Sequence, residues 1–360
     1  MTAEHVETLI IGGGQAGLAT AYHLARLGRS SVVVDALDRV GDNWRRHYDS
    51  LTLFSPRKVD GLPGLDFPGP AMGLPTKDEV ADYLEAYADH HGIPVRCGVK
   101  VERVRRNASG FEANTTDGTF HADNVVVAAG KVDHPHVPDF ADQLDPHIVQ
   151  LHSSEYRGPG QLAPGPALVV GAAHSGADIA LELASTRPTI LAGHRTGQMP
   201  FRLDGPVIRF AAPVARFATT KIVSLGTPIG RKVKGKIRGG GGPLIDPRVE
   251  DLDKAGVEWI EQRITGVRDG RPMLATGQVL DVASVVWCTG FHHDFSWIEL
   301  DIVGEDGWPL EDRGVVPSEP GLYFMGLVFQ SSFASMLLLG AGRDARHVAN
   351  HIARRVAAAV

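Results

Sequence analysis

The feature that most constrains this chain is a glycine-rich turn that occurs twice, each time behind an apolar strand and ahead of a helical stretch. The first copy reads Ile10-Ile11-Gly12-Gly13-Gly14-Gln15-Ala16-Gly17 and the second Val169-Val170-Gly171-Ala172-Ala173-His174-Ser175-Gly176. Each is a dinucleotide-binding fingerprint. The first glycine permits a tight turn, the second lets backbone approach a pyrophosphate, and the third lets helix and strand pack closely. The helix N-terminus then offers free N–H groups and the positive end of its dipole to the phosphates. One copy is a weak signal. Two predict an α/β protein with two Rossmann-like dinucleotide-binding domains, an FAD domain carrying an inserted NADPH domain.

The first copy is regular. Thr8–Ile11 is an apolar run that suits a buried parallel strand, and residues 16–27 carry helical apolar spacing. Val32–Val34 form the next strand. Asp35 closes it, where a carboxylate accepts a hydrogen bond from a ribose hydroxyl. The second copy departs at Ala173, whose methyl stands where the middle glycine would be. That suits a cofactor that comes and goes. Its following strand, Thr189–Ala192, ends in Gly193-His194-Arg195-Thr196 and not in an acid. An arginine here pairs with a 2′-phosphate, so NADPH is favoured, with NADH as the alternative. The bland reading of Arg195 is a surface cation.

At 360 residues the chain is long enough for two domains, and a net charge of −6 with 43% hydrophobic residues gives no reason to expect nucleic acid as a partner. Cys97 and Cys288 stand far apart with no Cys-x-x-Cys, which argues against dithiol–disulfide reduction. His90-His91, His134/His136 and His292-His293 have no carboxylate or cysteine at ligand spacing, so no metal site is predicted. The chain enters its first strand at once, and no apolar run reaches transmembrane length. The expected location is therefore the cytoplasm.

The expected division is residues 1–158 as the first part of the FAD domain, 159–291 as the NADPH domain, and 292–360 as the return to the FAD domain. Thr76 and Glu79 form a capping box ahead of a helix over 78–91. Val95–Val104, Phe111–Thr115 and Thr119–Phe120 read as an antiparallel meander, with Asp117-Gly118 as a hairpin turn. Val125–Gly130 reads as a buried strand ending in small residues, and Val285–Phe291 echoes it. Gly321–Gly326 reads as the last strand and Gly342–Val356 as a C-terminal helix. A helix N-terminus near Leu337–Gly340 is expected to face the flavin pyrimidine. Pro159–Pro166 reads as a crossing linker. Residues 206–242 are apolar and basic and end in four glycines. They read as a mobile, solvated loop; the sharper readings are a lid over the active site or an electrostatic guide for NADPH.

Together with Gly41-Asp42-Asn43-Trp44, Tyr48–Pro56, Leu74-Pro75-Thr76-Lys77, His152–Tyr156 and Cys288-Thr289-Gly290-Phe291, these landmarks resemble the class B flavin-containing monooxygenases over nearly the whole chain. The chain looks most like the short bacterial members and is also similar to the plant auxin-forming ones. The resemblance implies that NADPH reduces FAD, that reduced flavin captures O2 as a C4a-hydroperoxyflavin, and that one oxygen atom passes to a small soft nucleophile such as a sulfide or amine, or inserts beside a ketone. It assigns Gly12, Gly14, Gln15, Ala16, Gly17, Asp35, Ala36, Val101, Ala129, Gly130 and Gly326 to FAD. Asn43, Trp44, Thr52 and Leu53 line the flavin. Gly171, Ala173, His174, Ser175, Gly176, Arg195, Thr196, Thr289 and Gly290 hold the nicotinamide nucleotide. Phe54 and Ser55 lie where flavin and nicotinamide meet, and Gln330 lies near the flavin ring.

Three departures bear on activity. Of the family's Phe-x-Gly-x-x-x-His linker only His152 remains, with Pro146 and Ile148 in place of Phe and Gly. Tyr156 stands where dedicated Baeyer–Villiger enzymes carry Trp, which argues against that specialisation. Phe54 stands where N-oxygenating members carry Asn, which opens H2O2 release as an alternative fate. The competing readings are an NADPH oxidase or reductase without oxygen transfer, and a redox-sensing regulatory flavoprotein that docks a partner through the basic 221–238 stretch. Loops near 54–70, 199–215 and 328–338 are expected to build the substrate pocket, apolar and without a charged anchor. A homodimer is the default assembly.

Overall fold

The computed structural model describes residues 3–130, 134–198, 217–238 and 243–359. Two sheets organise them, the first mixed and the second parallel. The first sheet holds β1 (Ala3–Ile11), β2 (Val32–Val34), β3 (Val95–Arg96), β4 (Val101–Arg106), β5 (Phe111–Thr115), β6 (Gly118–Val127) and the late β14 (Leu322–Phe324). The second holds β7 (Val149–His152), β8 (Ala167–Val170), β9 (Thr189–Ala192), β10 (Glu258–Ile260) and β13 (Ser284–Trp287). β11 (Ile264–Arg268) and β12 (Arg271–Leu274) make a separate antiparallel hairpin.

The first sheet runs β3-β2-β1-β6-β5-β4, with β14 also on β6. β6 pairs with β1 along one edge and is long enough to serve two further partners on the other. Its first half pairs antiparallel with β5, and residues 125–127 pair parallel with β14. The second sheet runs β10-β9-β8-β13-β7 and is parallel throughout. Strands β8 and β13 are buried along their whole length. That is why they read as unbroken apolar runs and not as alternating ones.

The helices follow from capping and spacing. α1 (Gln15–Arg26) begins directly at the first fingerprint, α2 (Asp42–Arg45) and α3 (Arg57–Asp60) are single turns, α4 (Lys77–His90) is amphipathic, and α5 (His174–Ala184) begins at the second fingerprint. In α4 Thr76 accepts from the Glu79 amide and Glu79 accepts from the Thr76 amide, the expected capping box. Val80, Tyr83, Leu84 and Tyr87 form its buried face. The Tyr83 and Tyr87 hydroxyls donate to the carbonyls of Leu65 and Pro63, each at 2.7 Å, and so tie the 62–65 turn to the core. The helix Leu338–Ala359 packs Ala345, Val348 and Ile352 into the same core as Leu18 and Leu24 of α1.

The two crossings between the sheets are zipped together. Pro135 bridges Phe291, the His136 amide donates to the Gly290 carbonyl at 2.9 Å, and the His292 amide to that of His134 at 2.8 Å.

Several local expectations need correction. Val95–Arg96 does not join the meander; it pairs parallel with β2, because its two residues extend the nucleotide sheet before the chain turns. The hairpin turn is Thr116-Asp117, one residue earlier than expected, and Gly118 at φ +134° opens β6. The C-terminal helix begins at Leu338, ahead of the expected Gly342 and within the 337–340 stretch where a helix N-terminus was expected. β7 lies before the boundary expected at 158 yet is an edge strand of the second sheet. Residues 217–238, expected as part of a loop, contain a helix over Pro228–Arg238. Residues 206–216 and 239–242 lie outside the described residues, as do 199–205 of the expected pocket wall.

Candidate functional site

The two fingerprints fold into the same device twice. Gly12 (φ +111°) and Gly171 (φ +109°) sit at the strand ends, where a Cβ would meet the carbonyl oxygens of Ala128 and Cys288, each at 2.3 Å. A Cβ on Gly17 would lie 1.9 Å from the Gly12 oxygen, and one on Gly176 would lie 1.7 Å from the Gly171 oxygen. These four glycines are fixed by close approach of backbone to backbone, whether or not a ligand is bound.

Gly14 differs. It is the N-cap of α1 at φ −79°, and the nearest atom to its Cβ position is Asn43 Nδ2 at 3.7 Å. The protein leaves that space open. Ala173 takes the same place and the same backbone conformation before α5, at φ −90°. An alanine is tolerated there because the position never required positive φ. Neither helix N-terminus has a side-chain cap, and neither has an acid in its first turn. Uncapped N–H groups beside an open glycine fit a bound pyrophosphate.

Around the first turn, Asp35 accepts from the amides of Gly13 (2.6 Å) and Leu37 (2.8 Å), which aims its carboxylate along the rim. Ala36 beside it is exposed. Trp44 Nε1 donates to Gln15 Oε1 at 3.4 Å, and Asn43 stands over Gly14. Gly326 comes within 3.3 Å, measured from its Cβ position, of the Ala16 methyl, so the end of β14 closes on α1. Ala129 and Gly130 follow β6 exposed, with nothing near the Gly130 Cβ position. Val101 is half-buried at the start of β4, Leu53 is half-buried, and Thr52 is exposed and bridges Thr76.

The second turn gathers its residues likewise. Ser175 is exposed at the start of α5. His174 Nε2 and Thr196 Oγ1 are both buried without a partner, which fits a ligand that supplies one. Burial lowers the His174 pKa and so favours the neutral ring. Thr289 donates to the His136 carbonyl and thereby holds the crossing ribbon, while Gly290 (φ +85°) has open space around it. Arg195 is half-exposed. It stacks on Trp259 at 4.9 Å, and its Nε pairs with Glu261 at 3.0 Å, so an acid already competes for its charge.

The two sites meet at residues 48–60. The Phe54 ring lies 5.9 Å from that of His174, centroid to centroid. The Tyr48 hydroxyl donates to Asp178 Oδ2 of α5 at 2.7 Å, and the Tyr156 hydroxyl to Glu182 at 2.7 Å. Ser55 is buried and donates to Asp60 Oδ1 at 2.7 Å. Asp60 is fully buried and its Oδ2 has no partner; burial pushes its pKa up to about 6. A cleft of about 500 Å³ opens beside Thr52, walled by Tyr48, Asp178, Glu182 and Asp246. Burial raises the Asp178 pKa to about 7 despite the Tyr48 hydrogen bond.

Gln330 stands apart from this assembly. It is fully buried, donates to the Phe324 carbonyl at 2.9 Å and accepts from the Leu327 amide at 3.3 Å. Both ends of its amide are engaged in shaping the turn after β14. Sequence reasoning passed over Asp60, Asp178 and Glu261. Asp178 had a signal, standing two residues past the last fingerprint glycine; Asp60 and Glu261 had none.

Residues 9–203 match the sequence profile of the pyridine nucleotide-disulphide oxidoreductases. The chain belongs to that family. It is 36% identical over 350 residues to an uncharacterized oxidoreductase, CzcO-like, of Geobacillus kaustophilus, covering 96% of this chain and 98% of that one. It is 28% identical over 377 residues to the indole-3-pyruvate monooxygenase YUCCA1 of Oryza sativa subsp. japonica, covering 96% and 90%. Among solved structures, the flavin-containing monooxygenase of Stenotrophomonas maltophilia superposes with a TM-score of 0.76 at 25% identity, covering 98% and 99%. The chain is therefore an oxidoreductase of the flavin monooxygenase kind, with the two-domain flavoenzyme fold that its duplicated fingerprint predicts. Flavin and a nicotinamide nucleotide are its cofactors.

Proposed function

We propose that this protein is an FAD-dependent monooxygenase that takes electrons from NADPH and oxygen from O2, and oxygenates small soft nucleophiles, sulfides and amines first and ketones as a further class. The observation that carries the reading is the pair of uncapped, glycine-lined helix N-termini, one on each sheet, joined through Phe54 and His174. FAD, when bound, supplies the electron-transfer and oxygen chemistry by the route the resemblance implies.

The chain's own residues bind and orient. Gly12–Gly17, Asp35 and Asn43 would hold FAD, and Gly171–Gly176 and Thr196 the nicotinamide nucleotide. Arg195 would meet a 2′-phosphate with the guanidinium N–H groups left free by Glu261. Trp44, Leu53 and Phe54 would exclude water from the junction. Gln330 would act by fixing the backbone after β14.

Turnover of the FAD-loaded enzyme with NADPH, ¹⁸O2 and a panel of sulfides, amines and ketones tests this. Label in the product supports the proposal. Consumption of NADPH with H2O2 as the only oxygen product favours the oxidase reading instead. Phe54 supports that second reading, since it offers no hydrogen bond at the junction.

A further inference from the structure

Between Asp204 and Asp246 the sequence holds eight Lys or Arg and no acid, in a chain whose net charge is −6. The described part of this stretch is docked by one face only. In the helix Pro228–Arg238, Gly230, Val233, Lys234, Ile237 and Arg238 are buried or half-buried. Arg238 reaches Glu311 at 2.9 Å and the Val328 carbonyl at 3.0 Å, and Lys234 lies 3.9 Å from Glu311. Ahead of the helix, Arg343 donates to the Thr220 carbonyl and Ser224 bridges Ser332. The opposite face, at Pro228, Ile229, Arg231, Lys232 and Gly235, is exposed. Beside it, Phe217, Ile222 and Ile229 are 59%, 43% and 57% exposed, three of the seven large apolar side chains left exposed among the described residues. Exposed Lys221, Arg231 and Lys232 alternate with them along the same stretch, and none of the three is paired with an acid among the described residues.

We propose that this face is a docking surface for an anionic lipid bilayer. Protruding apolar side chains interspersed with cations, on a helix docked by one face and on the stretch just ahead of it, have the composition of an interfacial anchor. The apolar tips enter the acyl boundary and the cations meet the headgroups. The cations make the patch charge-complementary to an anionic bilayer. Arg238 of the helix reaches Val328, and residues 223–225 ahead of it pair with Ser331–Phe333, so docking would bring that end of the molecule to the bilayer, where apolar substrates concentrate. The inference stands whether or not oxygen transfer is the reaction. No described helix is long and apolar enough to cross a membrane, and none is needed.

Co-sedimentation of the FAD-loaded protein with vesicles tests it, using phosphatidylglycerol–phosphatidylcholine mixtures against phosphatidylcholine alone. The mixed vesicles should bind at least about tenfold more tightly, with binding lost in high salt. The double variants I222S/I229S and R231E/K232E should each weaken binding about tenfold or more, while melting temperature and NADPH oxidation stay unchanged. Failure of the wild type to sediment with the anionic vesicles overturns the proposal, as does sedimentation that both variants retain. A wild-type dimer that either variant dissolves also overturns it, and assigns the face to a second copy of the chain.

Discussion

Asp60 is a carboxylic acid with full burial, a single hydroxyl partner and no cation beside it. Its folded pKa, about 6, lies above its unfolded value. Between about pH 4 and 6 the folded protein keeps a proton that the unfolded chain releases, so this group's contribution to stability falls as pH rises through that window. D60N should therefore gain stability relative to wild type from pH 4 to above pH 6, approaching on the order of 3 kcal/mol, as read by denaturant titration at each pH. A difference that does not vary with pH would refute the account of Asp60. Arg195 carries a second prediction. R195A should raise the KM for NADPH by about tenfold or more and leave that for NADH nearly unchanged, since only the 2′-phosphate is lost as a partner. Equal effects on both would make Arg195 a surface cation that merely pairs with Glu261. The sequence made Arg195 legible because its position follows from the strand end. Glu261 was not legible, because it arrives from β10, which neighbours β9 in space and not in sequence.

At the scale of elements, the glycines divide into two physical kinds, and substitution separates them. G17A places a methyl 1.9 Å from the Gly12 oxygen. It should push α1 off β1 and destabilise the FAD-free protein by about 1–3 kcal/mol. G14A meets nothing closer than 3.7 Å and needs no unusual φ. It should leave FAD-free melting unchanged and weaken FAD binding about tenfold, because its methyl stands in the place of the pyrophosphate. If G14A melts early, or binds FAD as well as wild type does, Gly14 is not part of the cradle. The strand–turn–helix units were readable since each is local: a buried apolar run, a fingerprint and a helical period stand next to one another. The capping box of α4 was readable for the same reason. The placement of Val95–Arg96 was not, because two residues carry no periodicity and only their partner β2 shows which sheet they join. The helix Pro228–Arg238 was hidden by its composition. Its buried face contains Lys234 and Arg238, whose charges are matched by Glu311, more than seventy residues away in the chain.

For the whole molecule, two fingerprints sufficed to predict two sheets, and the return of the chain to the first sheet was marked by Gly321–Gly326. What sequence spacing left open was how the two sites face one another. That arrangement rests on long-range contacts: the crossing ribbon at 134–136 and 289–292, the Tyr48–Asp178 hydrogen bond, and the Phe54–His174 contact. It is also what makes the central claim testable, since electrons must pass from one site to the other before oxygen enters. The direct measurement is anaerobic reduction of the FAD-loaded protein with NADPH, followed by rapid mixing with oxygenated buffer while the flavin spectrum is recorded. The account predicts a lasting near-ultraviolet band before oxidised flavin returns. Immediate return of oxidised flavin with stoichiometric H2O2 would contradict oxygen transfer and make the protein an oxidase, with Phe54 the first residue to exchange for asparagine.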